Sequence, residues 1–269
     1  MFIDTHCHLD ILSKDANPGA ILDRATKQNI QMVVNPAVDI SSSKAILQLA
    51  KQFSQVKPAV GVHPNDIHNQ SIEEIIPSLN VLSKDPSIVA IGEIGLDYYH
   101  QNTAKELQKR VFIEQLLLAQ NSKLAVIIHS RESLTDVIQI IQTHYPAQSM
   151  AGNVRLRGVF HAFEGNLEDA MEVVKLGFLI GIGGPVTYKN AKDKQRIARE
   201  LPLESIVLET DSPFLSPVPF RGQINEPANI KIIAEKVANL RECDIKQVET
   251  VTTMNADRLF FIGDALVRE

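Results

Sequence analysis

Eight short runs of apolar, β-branched residues recur along the chain, and that rhythm limits the fold more than any other feature. They are FIDTHCH (2–8), QMVVNPAV (31–38), PAVGVHP (58–64), SIVAIGEIG (87–95), LAVIIHS (124–130), RGVFHAF (157–163), FLIGIGG (178–184) and SIVLETD (205–211). Several are nearly continuous hydrophobics, as parallel strands covered on both faces require. Helical patterns lie between them. In 103–122, Leu107, Val111 and Leu118, with Phe112, Leu116 and Ala119, recur at three-, four- and seven-residue spacings. In 71–85, Ser71 stands three residues before Glu74, a capping-box arrangement, and Pro77 predicts a break or kink. Segment 230–243 supplies a further helix after the last run.

Strands alternating with helices in this way predict a (β/α)8 TIM barrel, a single domain over residues 1–269. An open doubly wound sheet is the alternative. No glycine-rich phosphate loop follows the first run. GIGG (181–184) comes late and lacks the dinucleotide pattern, so its glycines read as turn residues.

Composition narrows the setting. The formal net charge is −5, whereas chains that hold nucleic acid by charge alone are usually basic. Any contact with nucleic acid is therefore expected to be local or aided by bound cations. Two cysteines, Cys7 and Cys243, make no disulfide framework. No targeting segment and no apolar run of membrane-spanning length stand out, so a cytoplasmic protein is expected. Neither a membrane nor a stable protein partner is implied.

Polar residues close the apolar runs. His6 and His8 end the first, His63 the third, Glu93 the fourth, His129 the fifth, His161 the sixth and Asp211 the eighth. A barrel places its active site at these carboxyl ends. His6 and His8 are two apart and share a strand face, which turns Cys7 toward the helices. Asp4 shares their face one layer deeper and is expected to orient a ring by accepting its N–H. Any one of these residues alone would be an ordinary satisfied side chain. Six of them at one mouth, His6, His8, Glu93, His129, His161 and Asp211, need a cation, because buried charges need partners. Four imidazoles with two carboxylates exceed one tetrahedral site and predict two divalent ions sharing a carboxylate. Imidazole content favours zinc, manganese or nickel over magnesium.

DTHCH, GVHP, GEIGLDYY, IIHSRE, GVFHAFEG and LETDSPFLSP, with GIGGPVTYKNA and NEPANI, together resemble the TatD family of metal-dependent deoxyribonucleases, among the amidohydrolase-like barrels. The resemblance runs from residue 2 to about 260. It implies His6, His8 and Asp211 on one ion, and Glu93 bridging to a second ion held by His129 and His161. It implies that His63 faces the substrate phosphate. It also implies DNA as substrate, cleaved at phosphodiester bonds, often from the 3′ end, commonly with magnesium. The expected cofactor is therefore two divalent ions per chain, magnesium, manganese or zinc. Related amide and lactone hydrolases often bridge their ions with a carboxylated lysine on strand four. IVAIGEIGLDYY holds no lysine, which favours the TatD-like reading. The chain departs from the family where Phe220 replaces a frequent histidine, where Glu164 follows HAF, and where SRES replaces SRDA.

The expected mechanism is attack by a metal-activated water. Asp211 serves as base, and His63, Arg131 and Arg221 meet the developing charge. Catalytic roles fall on Asp211, Glu93 and His63, and substrate contacts on His63, Arg131 and Arg221. Glu209 is expected to support the site from a deeper layer. The alternative substrates are a small ester or phosphoester, or a D-aminoacyl ester of tRNA.

Overall fold

The computed structural model describes residues 1–67, 71–100, 102–145 and 156–260. Eight parallel strands form one sheet in sequence order: β1 (Phe2–Asp4), β2 (Ile30–Pro36), β3 (Val56–Val60), β4 (Ala90–Asp97), β5 (Ala125–Arg131), β6 (Gly158–Phe160), β7 (Leu179–Ile182) and β8 (Ile206–Leu208). The sheet closes on itself. Thr5 N–H donates to the Leu208 carbonyl at 3.0 Å, His8 N–H donates to Ser212 at 2.8 Å, and Cys7 pairs with Ser212 as a parallel bridge. The fold is the expected TIM barrel.

The helices follow the strands: α1 (Leu9–Leu12), α2 (Pro18–Lys27), α3 (Ile40–Gln52), α4 (Ile72–Leu82), α5 (Lys105–Ser122), α6 (Leu134–His144), α7 (Leu167–Lys175), α8 (Lys192–Glu200), α9 (Ile230–Arg241) and α10 (Ile245–Phe260). Local chemistry sets several starts. Asn17 caps α2, with Pro18 in its first turn, and Asp39 and Ser42 make a reciprocal capping box on α3. The Ser71–Glu74 box opens α4 as expected. Pro77 does not end that helix. Glu73 and Pro77 both lie on its exposed face, where water meets the carbonyl that the proline leaves unbonded.

Two buried clusters hold the barrel. The smaller fills the interior with Ile3, Val34, Ala59, Ile127, Val159 and Val207, closed from below by Leu259 and Phe260 of α10. The larger lies between the strands and the surrounding helices. Runs one, six and eight pair over only three residues each. Their later residues leave the ladder and line the mouth, which frees the side chains described next.

Candidate metal centre

β1 ends at Asp4, and the reason is chemical. The Asp4 carboxylate accepts the Thr210 N–H at 2.9 Å, the His6 N–H at 3.2 Å and the Thr210 hydroxyl. It therefore staples the first strand to the last and does not orient an imidazole, contrary to the expectation from strand alternation. Burial pushes its carboxyl up to about 8, against the bonds from Thr210 and His6. Asp211 N–H donates to the His6 carbonyl at 2.8 Å. Asp211 takes a left-handed conformation, φ 56°, which aspartate tolerates better than most residues. That turn holds its carboxylate beside His6 and His8. Cys7 faces the core as alternation predicts, with Ser212 Oγ 3.1 Å from its Sγ.

Glu93 occupies the centre and is almost fully buried. Its two oxygens face different imidazole sets. Oε1 lies 2.8 Å from His161 Nε2 and 2.9 Å from His129 Nδ1. Oε2 lies 3.4 Å from His6 Nε2 and 3.7 Å from His8 Nε2. The His6 and His8 Nε2 atoms are 3.2 Å apart, and each is 3.6 Å from Asp211 Oδ1. The His6 and His161 rings stack at 3.8 Å.

Asp97 is the principal residue that the sequence did not single out, although it stands in GEIGLDYY. Its Oδ2 lies 3.2 Å from His129 Nε2, 3.0 Å from His100 Nδ1 and 2.9 Å from Asn65 Nδ2. Its Oδ1 accepts the N–H groups of Tyr99 and His100. Burial lowers the His129 pKa, but bonds to Asp97 and Glu93 outweigh it and raise it; with Nε2–H given to Asp97, the ring would offer Nδ1 to a metal ion beside Glu93. Two buried glutamines on the inner face of α5 fix the backbone here. Gln108 bonds both N–H and C=O of Asp97, and Gln115 does the same for Val62, next to His63. They sit seven apart among apolar residues, so periodicity alone reads that face as core.

His63 Nδ1 accepts the Asn65 N–H at 3.2 Å, which leaves the ring proton on Nε2. Burial lowers its pKa, as does neighbouring His129, so the ring is neutral at neutral pH. Burial also opposes charge on Glu93, but His161, His6 and His129 outweigh it and hold the carboxyl well below its ordinary value. His6 falls to about 4 through burial and the adjacent His161. His161 rises to about 10 because Glu93 outweighs its burial. Among the described residues, Nδ1 of His6 and of His161 has no hydrogen-bond partner.

The donor set fits divalent metal. Six ligand-type side chains converge with donor atoms 2.8–3.7 Å apart. Ligands about 2.1 Å from a tetrahedral ion stand about 3.4 Å apart. Three-residue donor groups recur in His6–His8–Glu93, His6–His161–Asp211 and Glu93–His129–His161. The cluster floors a cavity of about 740 Å³, onto whose wall His63 and Arg131 also project. Arg131 stacks over the Tyr99 ring at 4.1 Å. Arg221 is exposed, stacks over Tyr188 at 4.4 Å and does not line that cavity. Glu164 lines the cavity, whereas Phe220 lies outside it.

The family described as TatD related DNase matches residues 3–261. This chain belongs to the TatD family. The uncharacterized metal-dependent hydrolase YabD of Bacillus subtilis is 36% identical over 98% of this chain and 100% of its own length. Mouse TATDN3, whose name carries deoxyribonuclease activity provisionally, is 33% identical over 96% of this chain and 87% of its own. The crystal structure of the TatD homologue YjjV from Escherichia coli K12 superposes with a TM-score of 0.88 at 31% identity, covering 97% of this chain and 98% of that one. TatD membership makes the chain a hydrolase. Among the described residues, no helix is long and apolar enough to cross a membrane.

Proposed function

We propose that this TatD protein hydrolyses DNA phosphodiester bonds as a 3′-to-5′ exonuclease that uses two divalent ions. The observation that carries the reading is Glu93, whose two oxygens address separate imidazole groups at the floor of one cavity. His6, His8 and Asp211 would hold one ion, His129 and His161 the other, with Glu93 shared. Magnesium, manganese and zinc are the candidates. When bound, such ions supply Lewis-acid chemistry, acidifying water and offsetting charge on phosphorus oxygens. Asp211 takes the proton of the attacking water. His63, with its proton on Nε2, donates to a phosphate oxygen and meets the charge that develops in the transition state. Arg131, steadied on Tyr99, adds a cationic contact from the rim. Arg221 would reach substrate only beyond the cavity, along a longer strand.

A substrate panel at fixed metal tests the reading. It compares end-labelled single- and double-stranded DNA, RNA, a small phosphodiester, a carboxylic ester and a D-aminoacyl-tRNA. Stepwise release of nucleotides from the 3′ end is expected. Exclusive turnover of a non-phosphate ester would replace the reading with the small-ester alternative.

A further inference from the structure

Lys194 of α8 is a lysine on the wall of the central cavity whose role the reading above does not use. It shares a narrow pocket with Ile180, Ile182, Val186 and Ile197 and with the carboxylates of Glu209 and Asp211, and its Nζ donates to the Phe163 carbonyl at 2.7 Å. That bond uses one of three ammonium donors. Burial lowers the Lys194 pKa, and the more distant charges of Glu164, Glu209 and Asp193 only partly oppose that. Lys194 also opens onto the metal-floored cavity. Among the described residues lining that cavity, Lys194 and Arg131 are the two lysine or arginine side chains, against five carboxylates: Asp66, Glu93, Asp97, Glu164 and Asp211. Metal ions would offset Glu93 and Asp211, and bonds from His129, His100 and Asn65 occupy Asp97. Asp66 and Glu164 remain to repel a polyanion. An ammonium held in place by a backbone carbonyl loses little freedom on meeting one.

We propose that Lys194 is a substrate-positioning residue that binds a phosphate flanking the scissile group, with Glu164 competing for the same ammonium. The proposal rests on the phosphodiesterase reading above. Binding is measured first, because it does not require turnover. Titration calorimetry on the metal-loaded protein compares thymidine 5′-monophosphate with thymidine 3′,5′-bisphosphate. The second phosphate tightens binding to the unaltered protein, and Lys194→Met reduces that gain about tenfold, the scale of one hydrogen bond to a charged group. Lys194→Arg retains most of the gain, and Glu164→Gln enlarges it. In steady state, Lys194→Met raises KM for an oligothymidylate about tenfold more than KM for bis(4-nitrophenyl) phosphate. An identical gain from the second phosphate in the unaltered protein and Lys194→Met, including no gain in either, overturns the assignment. If the protein cleaves DNA and the gain survives in Lys194→Met, this inference fails alone. If it cleaves no phosphodiester but loses the gain in Lys194→Met, the phosphodiesterase reading fails alone.

Discussion

Replacing Asp97 by asparagine should weaken one metal site and spare the other. The Tyr99 and His100 N–H groups need an oxygen acceptor, at 3.0 and 2.8 Å, so the asparagine carbonyl must take the place of Oδ1. The amide NH₂ then stands where Oδ2 was. It meets His129 Nε2 at 3.2 Å and the Asn65 amide nitrogen at 2.9 Å, donor against donor. His129 loses the acceptor that fixes its tautomer, and its Nδ1 is no longer reliably bare. A hydrogen bond to a charged group contributes about 1.5–3 kcal/mol, or about 10–100-fold in affinity, which is also the usual effect of removing a partner behind a metal-binding histidine. The backbone should hold, because Gln108 grips both polar groups of Asp97 independently of its side chain. Competition with a chromophoric chelator, with ions counted by elemental analysis, should show one tight site retained and one weakened by that factor. Equal weakening of both sites, or of neither, would refute the reasoning.

Other perturbations have equally definite outcomes. Asp211→Asn should lower turnover by about 10²–10⁴-fold, the usual contribution of a positioned base, while its thermal melt stays cooperative; unchanged turnover would remove Asp211 from that role. Glu209 is held near 7 by burial, against about 4.5 when unfolded, and the field of His161 and the Ala162 N–H only partly offset that rise. The folded state therefore binds its proton more tightly. The resulting stabilisation, on the order of 3 kcal/mol, is complete below pH about 4.5 and lost as pH rises to about 7. Urea melts of metal-free protein should show that decline on top of the one from Asp4, whose carboxyl is held up to about 8, and Glu209→Gln should make the summed decline shallower. Gly181→Ala would drive its Cβ into Glu209 Oε2 and should cost about 1–3 kcal/mol, with much of the loss recovered in a Glu209→Ala background.

The barrel was legible because its period is coarse: eight apolar runs survive errors of several residues at each end. The converging histidines and carboxylates were legible for a related reason, since a polar residue closing an apolar strand stands out against its neighbours. What failed was finer. Asp4 sits where alternation puts it, yet backbone N–H groups across the closure compete for its oxygens and win. Gly181 reads as a turn residue, but it lies within β7 and makes room for the Glu209 carboxylate. Asp97, Gln108 and Gln115 act through bonds to chain segments remote in sequence or to their own loop. No local pattern marks such bonds, and the two glutamines are hidden among the apolar residues of α5.

The closure between β8 and β1 has a consequence for how the protein matures. Asp211 and His6, 205 positions apart, are joined there by a backbone bond and face the same group of donors. During synthesis the first two histidines leave the ribosome long before the aspartate that completes their set. A cation captured early would find only half its partners, so tight loading must wait until the cylinder shuts. On the proposed assignment, an ion held by His6 and Asp211 would clasp the two edges of that seam, and the atoms assigned to turnover would also act as a latch on the finished barrel.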